Sequence, residues 1–366
     1  MWNQAEIYRR RRRAFVAAVG LVLLLIIIIV AISGGGPVKH VATNTTLPRS
    51  PAPLTYTATA GLTEPVRAGS AAPIPGENAF TLFGGLDADL TATATVATVS
   101  PTAAKPVGFL PVSLYGTAAV TIKNTEYIFG GITGSLHSNG TTSGSGELGI
   151  LSYMPTATAS AVTEIAHLPS PNYGLSAAVI GTTAYIVGGF DGTSTLATID
   201  SWSPGEAKAK VVKTLPLGLR YTAVDAVGDE LVIAGGLEAG GAASRQIFIF
   251  DATTSKLRKL RAQLPSGIFA ASAATLGKLA YVIGGAIPGA AGAPTASAQI
   301  YSVDPATAKL ALAGALPIAR DEAAATVVDG STIYLAGGLS GGGANATTIA
   351  DVGTLTATTS AATTKP

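Results

Sequence analysis

Six glycine pairs, each at the end of a short apolar run, are the feature that most constrains this 366-residue chain. The third copy reads Ala184-Tyr185-Ile186-Val187-Gly188-Gly189-Phe190. Successive pairs are separated by 46, 58, 47, 49 and 53 residues, a period typical of propeller blades built from short strands. The pairs are Gly84 and Gly85, Gly130 and Gly131, Gly188 and Gly189, Gly235 and Gly236, Gly284 and Gly285, and Gly337 and Gly338.

Each glycine pair belongs to a succession of similar short segments. A Leu-Pro turn such as Leu215-Pro216 precedes a small-residue strand such as Ser176–Val179, and the glycine-pair strand comes next. A third strand such as Gln246–Asp251 and a fourth such as Lys210–Lys213 complete the unit. This density of strands and turns predicts an all-β fold. We place the small residues innermost, because blades converge at an axis with little room for side chains, and glycine allows close backbone approach.

The residues around the glycine pairs resemble the kelch repeat. Phe190-Asp191-Gly192 follows the third pair, and Asp-Ala and Asp-Pro turns stand at Asp251 and Asp304. The resemblance covers residues 61–356 and implies a six-bladed kelch-type β-propeller. Because this fold hosts both enzymes and binding modules, the resemblance alone implies no activity.

Two features depart from the kelch pattern. The tryptophan that usually follows the Asp-Pro turn is missing, and Leu257 and Leu310 take its place. In the first repeat, Thr63 stands where a proline is expected. Neither departure alters the glycine-pair spacing, which is the feature specific for the fold.

The N-terminal residues predict a membrane anchor. The polar segment 1–13 ends in five arginines, and the next nineteen residues, Ala14–Ile32, carry no charge. As a helix they would span roughly 28 Å, which matches the hydrocarbon core of a bilayer. We therefore predict a cytoplasmic N-terminus, a transmembrane helix over 14–33 and a propeller outside the cell membrane. The alternative is a cleaved signal peptide, with small residues at Ala31 and Ser33, but the apolar run exceeds the usual signal length.

Residues 34–60 are rich in glycine, proline and threonine, which predicts an extended linker. The tail 357–366 is rich in threonine and alanine and is expected to be flexible. The sixth blade needs an outer strand, for which Leu54–Ala60 and Thr354–Thr359 are the candidates. We favour the N-terminal segment, because it stands where the other repeats carry their fourth strand.

The composition excludes several kinds of site. The chain has no cysteine, so disulfides and thiolate metal sites cannot form. Its histidines, His40, His137 and His167, lack metal-ligand or triad spacing, and no glycine-rich stretch carries a phosphate-loop motif. We predict no metal and no cofactor. The net charge is +2 and segment 1–13 contributes +4, so the remaining −2 argues against nucleic acid as a partner.

One position recurs five residues after the leucine that opens each turn, and the sixth repeat carries Arg320-Asp321 there. In four repeats it lies fifteen residues before the glycine pair, which indicates one structural position repeated around the ring. We place it at the channel mouth, on the face that the loops Ile132–Gly149 and Ala286–Ser297 share. Arginines and aromatic rings there suit an anion or a carbohydrate, while the alternative is that they pack between blades. The predicted ligand-binding residues are Arg67, Tyr115, Tyr173, Arg220, Phe269 and Arg320.

These observations favour a membrane-anchored, extracytoplasmic module that binds a protein or glycan ligand, rather than an enzyme. Its contact with the membrane would be residues 14–33. One alternative is a carbohydrate-active enzyme, by resemblance to the kelch mutarotases that act on sialic acid, with Asp321 and Glu322 beside Arg320 as acid and base. Another is a structural cell-surface protein without a small ligand.

Overall fold

Six four-stranded antiparallel sheets make up the structure, which is a computed structural model. It describes residues 47–137, 141–156, 161–289 and 293–358. Over these ranges, no helix has the length and apolar character needed to cross a membrane. The predicted anchor 14–33, the first part of the linker 34–60 and most of the tail 357–366 lie outside the described residues.

The sheets are the blades of a propeller, numbered here in chain order by their inner strands. Within blades 1 to 5 the strands follow one another along the chain, from inner to outer. Blade 1 consists of Ser70–Pro73, Phe80–Phe83, Thr95–Val99 and Ala104–Phe109; blade 2 of Ala118–Ile122, Thr125–Phe129, Gly149–Tyr153 and Thr163–His167; and blade 3 of Ser176–Ile180, Thr183–Val187, Thr198–Trp202 and Lys210–Thr214.

Blades 4 to 6 have the same design, and two of the loops that follow a glycine pair form small hairpins. The hairpins pair Ala286–Pro288 with Pro294–Ala296, and Leu339–Ser340 with Thr347–Thr348, the last around the 3₁₀ turn Gly343–Asn345. In blade 4, Leu237–Glu238 pairs with Leu219–Arg220 of the turn that enters the blade. Blade 4 consists of Ala223–Val227, Glu230–Ala234, Ile247–Asp251 and Lys256–Lys259; blade 5 of Ser272–Leu276, Leu279–Ile283, Gln299–Asp304 and Lys309–Ala315; and blade 6 of Ala324–Val328, Thr332–Ala336, Val352–Ala357 and Leu54–Ala58.

The N-terminal segment closes the ring. Leu54–Ala58 is the outer strand of blade 6 and pairs antiparallel with Val352–Ala357, as the sequence analysis favoured. The residues before it are also built into the fold, since the N–H of Ser50 donates to the carbonyl of Leu312 at 2.8 Å. The propeller therefore includes residues ahead of the predicted boundary at 61, and only the earlier part of segment 34–60 remains a predicted linker.

The core lies in the seams between neighbouring blades. Between blades 2 and 3, Trp202 is fully buried and packs edge-on against Tyr127, with ring centroids 4.9 Å apart. Phe129 and Ile186 fill the same seam. Because each blade is apolar on both faces, it gains its stability only between two others, which is the reason repeat folds of this kind must close.

Each glycine pair docks on the turn that enters the next blade. The second glycine donates its N–H to a turn carbonyl, and the first glycine has a positive φ and faces the same oxygen. A Cβ added to Gly188, where φ is 62°, would lie 2.0 Å from the carbonyl oxygen of Leu219. The bonds span 2.7–2.9 Å and join Gly85 to Leu114, Gly131 to Asn172, Gly189 to Leu219, Gly236 to Ile268, Gly285 to Arg320 and Gly338 to Val66.

Gly188→Ala is therefore expected to destabilise the fold more than Gly181→Ala. Gly181 has nearly the same φ, 63°, but nothing lies within 4 Å of an added Cβ. Its substitution should cost about 1–2 kcal/mol of unfolding free energy, for the left-handed conformation alone. Gly188→Ala adds overpacking of about 1–3 kcal/mol, for a total of about 2–5 kcal/mol. Denaturant unfolding of both variants measures the difference, and equal losses would contradict the docking role.

Candidate functional site

A closed ring of backbone hydrogen bonds surrounds the channel at one end. Six residues, one from each blade, each donate an N–H to the carbonyl of the preceding blade's residue, over 2.7–2.9 Å. All six have φ between 51° and 63°, the left-handed conformation that turns the chain into the inner strand. The ring consists of Ala68, Gly116, Gly174, Tyr221, Ala270 and Glu322.

The recurring position from the sequence directly precedes this ring. Each of its residues forms an antiparallel bridge with the residue that follows a glycine pair, so the loops after the glycine pairs begin beside it. In the sixth blade that bridge is made by Asp321, which pairs with Leu339. Arg320 is therefore not the sixth member. The column consists of Arg67, Tyr115, Tyr173, Arg220, Phe269 and Asp321.

Arg220 is a half-buried cation held by aromatic rings. Its guanidinium carbon lies 5.0 Å from the ring centroid of Phe190 and 5.5 Å from that of Tyr221, within the range of cation–π attraction. The ring of Tyr173 packs edge-on against Phe190 at 5.5 Å and so extends this aromatic wall. Among the described residues, no carboxylate lies within ion-pair distance of Arg220.

Two carboxyl groups and a second arginine lie at the same mouth. Arg67 Nε is 3.4 Å from Glu322 Oε2, and their side chains are 7% and 23% exposed. Burial, and then the charge of Glu322, raise the pKa of Asp321, while Arg67 opposes the rise. Burial also raises the pKa of Glu322 against the pull of Arg67. The pair therefore retains a proton at higher pH than free carboxyl groups would.

Several buried polar atoms at the mouth lack a hydrogen-bond partner. Nine such side-chain atoms occur in the described residues, and four of them lie at the mouth. Arg67 Nε and Glu322 Oε2 face each other in their ion pair, so Tyr115 Oη and Arg220 Nε are the two that lack any partner. Burial raises the pKa of Tyr115 to about 12, so its hydroxyl stays protonated and can donate. An unsatisfied buried group costs about 1–3 kcal/mol, so a ligand that pairs with these atoms would recover that energy.

Comparison with known proteins agrees with this geometry. A family model described as the kelch motif matches residues 171–208, which include Tyr173 and the glycine pair at Gly188. The chain is a kelch-repeat β-propeller. The solved structure of YjhT aligns with 81% of the chain and 96% of its own length, with a TM-score of 0.67 and 18% identity. At that identity the likeness shows the fold alone. No curated protein matches the chain.

In this kelch propeller, Arg320 serves the closing strand rather than the mouth. Its side chain is 1% exposed and forms an ion pair with Asp351. The carboxylate of Asp351 also accepts a hydrogen bond from the hydroxyl of Tyr56. Arg320 Nη1 donates to the carbonyl of Gly337 at 3.3 Å. Because Tyr56 lies on the outer strand Leu54–Ala58, these side chains fasten that strand to blade 6.

The column and its neighbours differ in how well the sequence revealed them. The structure brings Arg67, Tyr115, Tyr173 and Arg220 together, and Phe269 occupies the same backbone position in blade 5. Sequence reasoning missed Tyr221 and the part played by Phe190. The signal for Tyr221 was present, since four repeats carry alanine or glycine at the ring position, whereas blades 4 and 6 carry Tyr221 and Glu322.

Arg320→Met is expected to lower stability, because it leaves Asp351 and Tyr56 without their cation. Breaking a fully buried pair costs about 3–5 kcal/mol, and the 27% exposure of Asp351 reduces this to roughly 2–3 kcal/mol. The double variant Arg320→Met/Asp351→Asn should recover part of the loss. Thermal unfolding of the single and double variants checks this, and an unchanged Tm for Arg320→Met would refute the fastening role.

Proposed function

We propose that this kelch propeller is a binding module that holds an anionic ligand at its channel mouth. The observation that carries the proposal is Arg220, a guanidinium between the rings of Phe190 and Tyr221 without a carboxylate partner among the described residues. An arginine already fixed by stacked rings has little conformational freedom left to lose on binding. Carboxylate, sulfate or phosphate groups match its planar donors.

The ligand class that best fits the mouth is an acidic glycan. Aromatic side chains offer flat faces to sugar rings, and the unpaired hydroxyl of Tyr115 supplies a donor for a sugar oxygen. The cavity inside the ring is only about 110 Å³, well below the roughly 300 Å³ of ordinary ligand pockets. A sugar would therefore rest on the ring, beneath the surrounding loops. An acidic side chain of a protein partner is the other source of the same anion.

A carbohydrate-active enzyme is the second candidate, and the carboxyl pair is what favours it. Asp321 and Glu322 have raised pKa values at the mouth, which is where a sugar would lie. Groups of this kind transfer protons near neutral pH. A structural protein without a ligand has less support, because it gives no use to the unpaired Tyr115 hydroxyl and Arg220 Nε.

Arg220→Gln is expected to weaken binding at least about tenfold, equivalent to 1.4 kcal/mol, with little change in Tm. The full-length protein in detergent is first screened against neutral glycans, acidic glycans and acidic peptides, and the Kd of the strongest binder is measured. Arg261→Gln, which removes an exposed arginine away from the mouth, is the matched control. Added salt should weaken binding to the native protein more than to Arg220→Gln.

The outcome separates the candidates. Equal affinity of Arg220→Gln and the control would overturn the mouth site. Turnover of a bound sugar that is lost in Glu322→Gln would support the enzyme, and selective capture of acidic peptides would assign the site to a protein partner.

We also propose that the module is held at the outer surface of the cell membrane by residues 14–33. The support is the uncharged run that follows five arginines. N-terminal sequencing of the native protein is expected to find the arginine segment intact. A mature N-terminus near Gly34 would instead identify a cleaved signal peptide.

A further inference from the structure

A cavity that none of the column residues lines lies on the face of blade 1 that looks toward blade 6. Its volume is about 390 Å³, within the range of small-molecule pockets. The face of blade 1 contributes Leu82, Ala97 and Ala104, and the turn Leu62–Val66 forms another wall. We call this cavity the seam cleft.

The seam cleft exists because the third strand of blade 1 has a small residue, Ala97, at a position where other blades have larger side chains. Ala97 stands opposite Leu82 on the third strand and is the counterpart of one residue in every blade. In blade 6 that counterpart is Gly353, but the ring of Tyr56 covers it, 2.1 Å from an added Cβ. The remaining counterparts are Leu151, Asp200, Phe248 and Tyr301.

The turn beside the cleft is also less tightly packed than its counterparts. Val66 is half-buried, although the residues that accept the glycine N–H in the other five turns are at most 2% exposed. The same turn has Thr63 in place of the usual proline. An open apolar cleft costs stability in proportion to its unfilled volume. An open cleft of this size at a blade seam points to an occupant.

Carboxylates give the cleft its charge. The cleft is lined by three acidic residues, Glu64, Asp87 and Asp89, and by no lysine or arginine. None of these three carboxylates belongs to an ion pair within the described part of the chain. Asp87 Oδ1 accepts hydrogen bonds from the backbone N–H groups of Asp89 and Thr91. Glu64 and Asp89 are exposed to solvent. An apolar surface beside unpaired carboxylates attracts a cation with an apolar body and repels anions.

We propose that the seam cleft is a second binding site, independent of the mouth, for a small hydrophobic amine. The aryl or alkyl body lies against Leu82 and Ala97, and the ammonium group lies near Glu64 and Asp89. The mouth and the cleft thus select opposite charges. This site does not depend on whether the mouth binds a glycan, since the two share no lining residue.

The test uses the full-length protein with benzylamine, benzyl alcohol and benzoate, which share one ring and differ in charge. Ligand-observed NMR titration should find benzylamine at least tenfold tighter than benzyl alcohol, and no binding of benzoate at the cleft. Ala97→Leu, which copies the Leu151 of blade 2, should reduce benzylamine affinity at least tenfold without lowering Tm. Glu64→Gln/Asp89→Asn should reduce it to the affinity of benzyl alcohol.

Arg220→Gln serves as the control for the mouth and should leave benzylamine binding unchanged. The proposal is overturned if benzylamine does not bind, if it binds no better than benzyl alcohol, or if the surface variant Glu64→Gln/Asp89→Asn binds it normally. The surface variant keeps the test decisive even where Ala97→Leu disturbs folding, because both of its substitutions lie at exposed positions.

Discussion

The whole structure depends on the contact between each glycine pair and the turn that enters the next blade. A blade is apolar on both faces and is stable only between two neighbours. The glycine N–H satisfies a carbonyl of that turn, and the missing Cβ lets the backbones meet. Since the same contact recurs around the ring and ends with Gly338 on Val66, every seam has one fixed spacing. A side chain at any first glycine would disturb two blades at once.

The same turns also position the residues of the candidate site. Directly after the column, six left-handed residues satisfy one another's backbone groups around the channel, so the ring itself needs no particular side chain. Glycine suits that conformation, whereas Ala68, Tyr221, Ala270 and Glu322 adopt it at a cost of about 1–2 kcal/mol each. Strain of this kind gathers at functional sites. Here it places a phenol and a carboxyl group beside Arg220 and Arg67.

Ring closure makes blade 6 and its two seams different from the rest. The outer strand comes from the N-terminus, and Tyr56 on that strand covers Gly353 and joins the Arg320–Asp351 pair. On the opposite side, blade 1 meets blade 6 with Ala97 and a half-buried Val66, and the seam cleft remains open. The seam between blades 5 and 6 is thus filled by Tyr56, Arg320 and Asp351, whereas the seam between blades 6 and 1 contains an open cleft.

Local sequence determined the blade number, the four-strand repeat, the column in five blades and the N-terminal closure, because each follows from a pattern that recurs at fixed spacing. The sixth column residue was misplaced by one, since the sequence offered the neighbours Arg320 and Asp321 and the bridge to Leu339 identifies Asp321. Tertiary structure alone decided that Arg320 meets Asp351 and that Ala97 borders a cleft. The first depends on how the turn that enters blade 6 packs on Asp351, just before the third strand of that blade, and the second on the meeting of blades 1 and 6 where the two ends of the repeat array join. No local spacing records either contact.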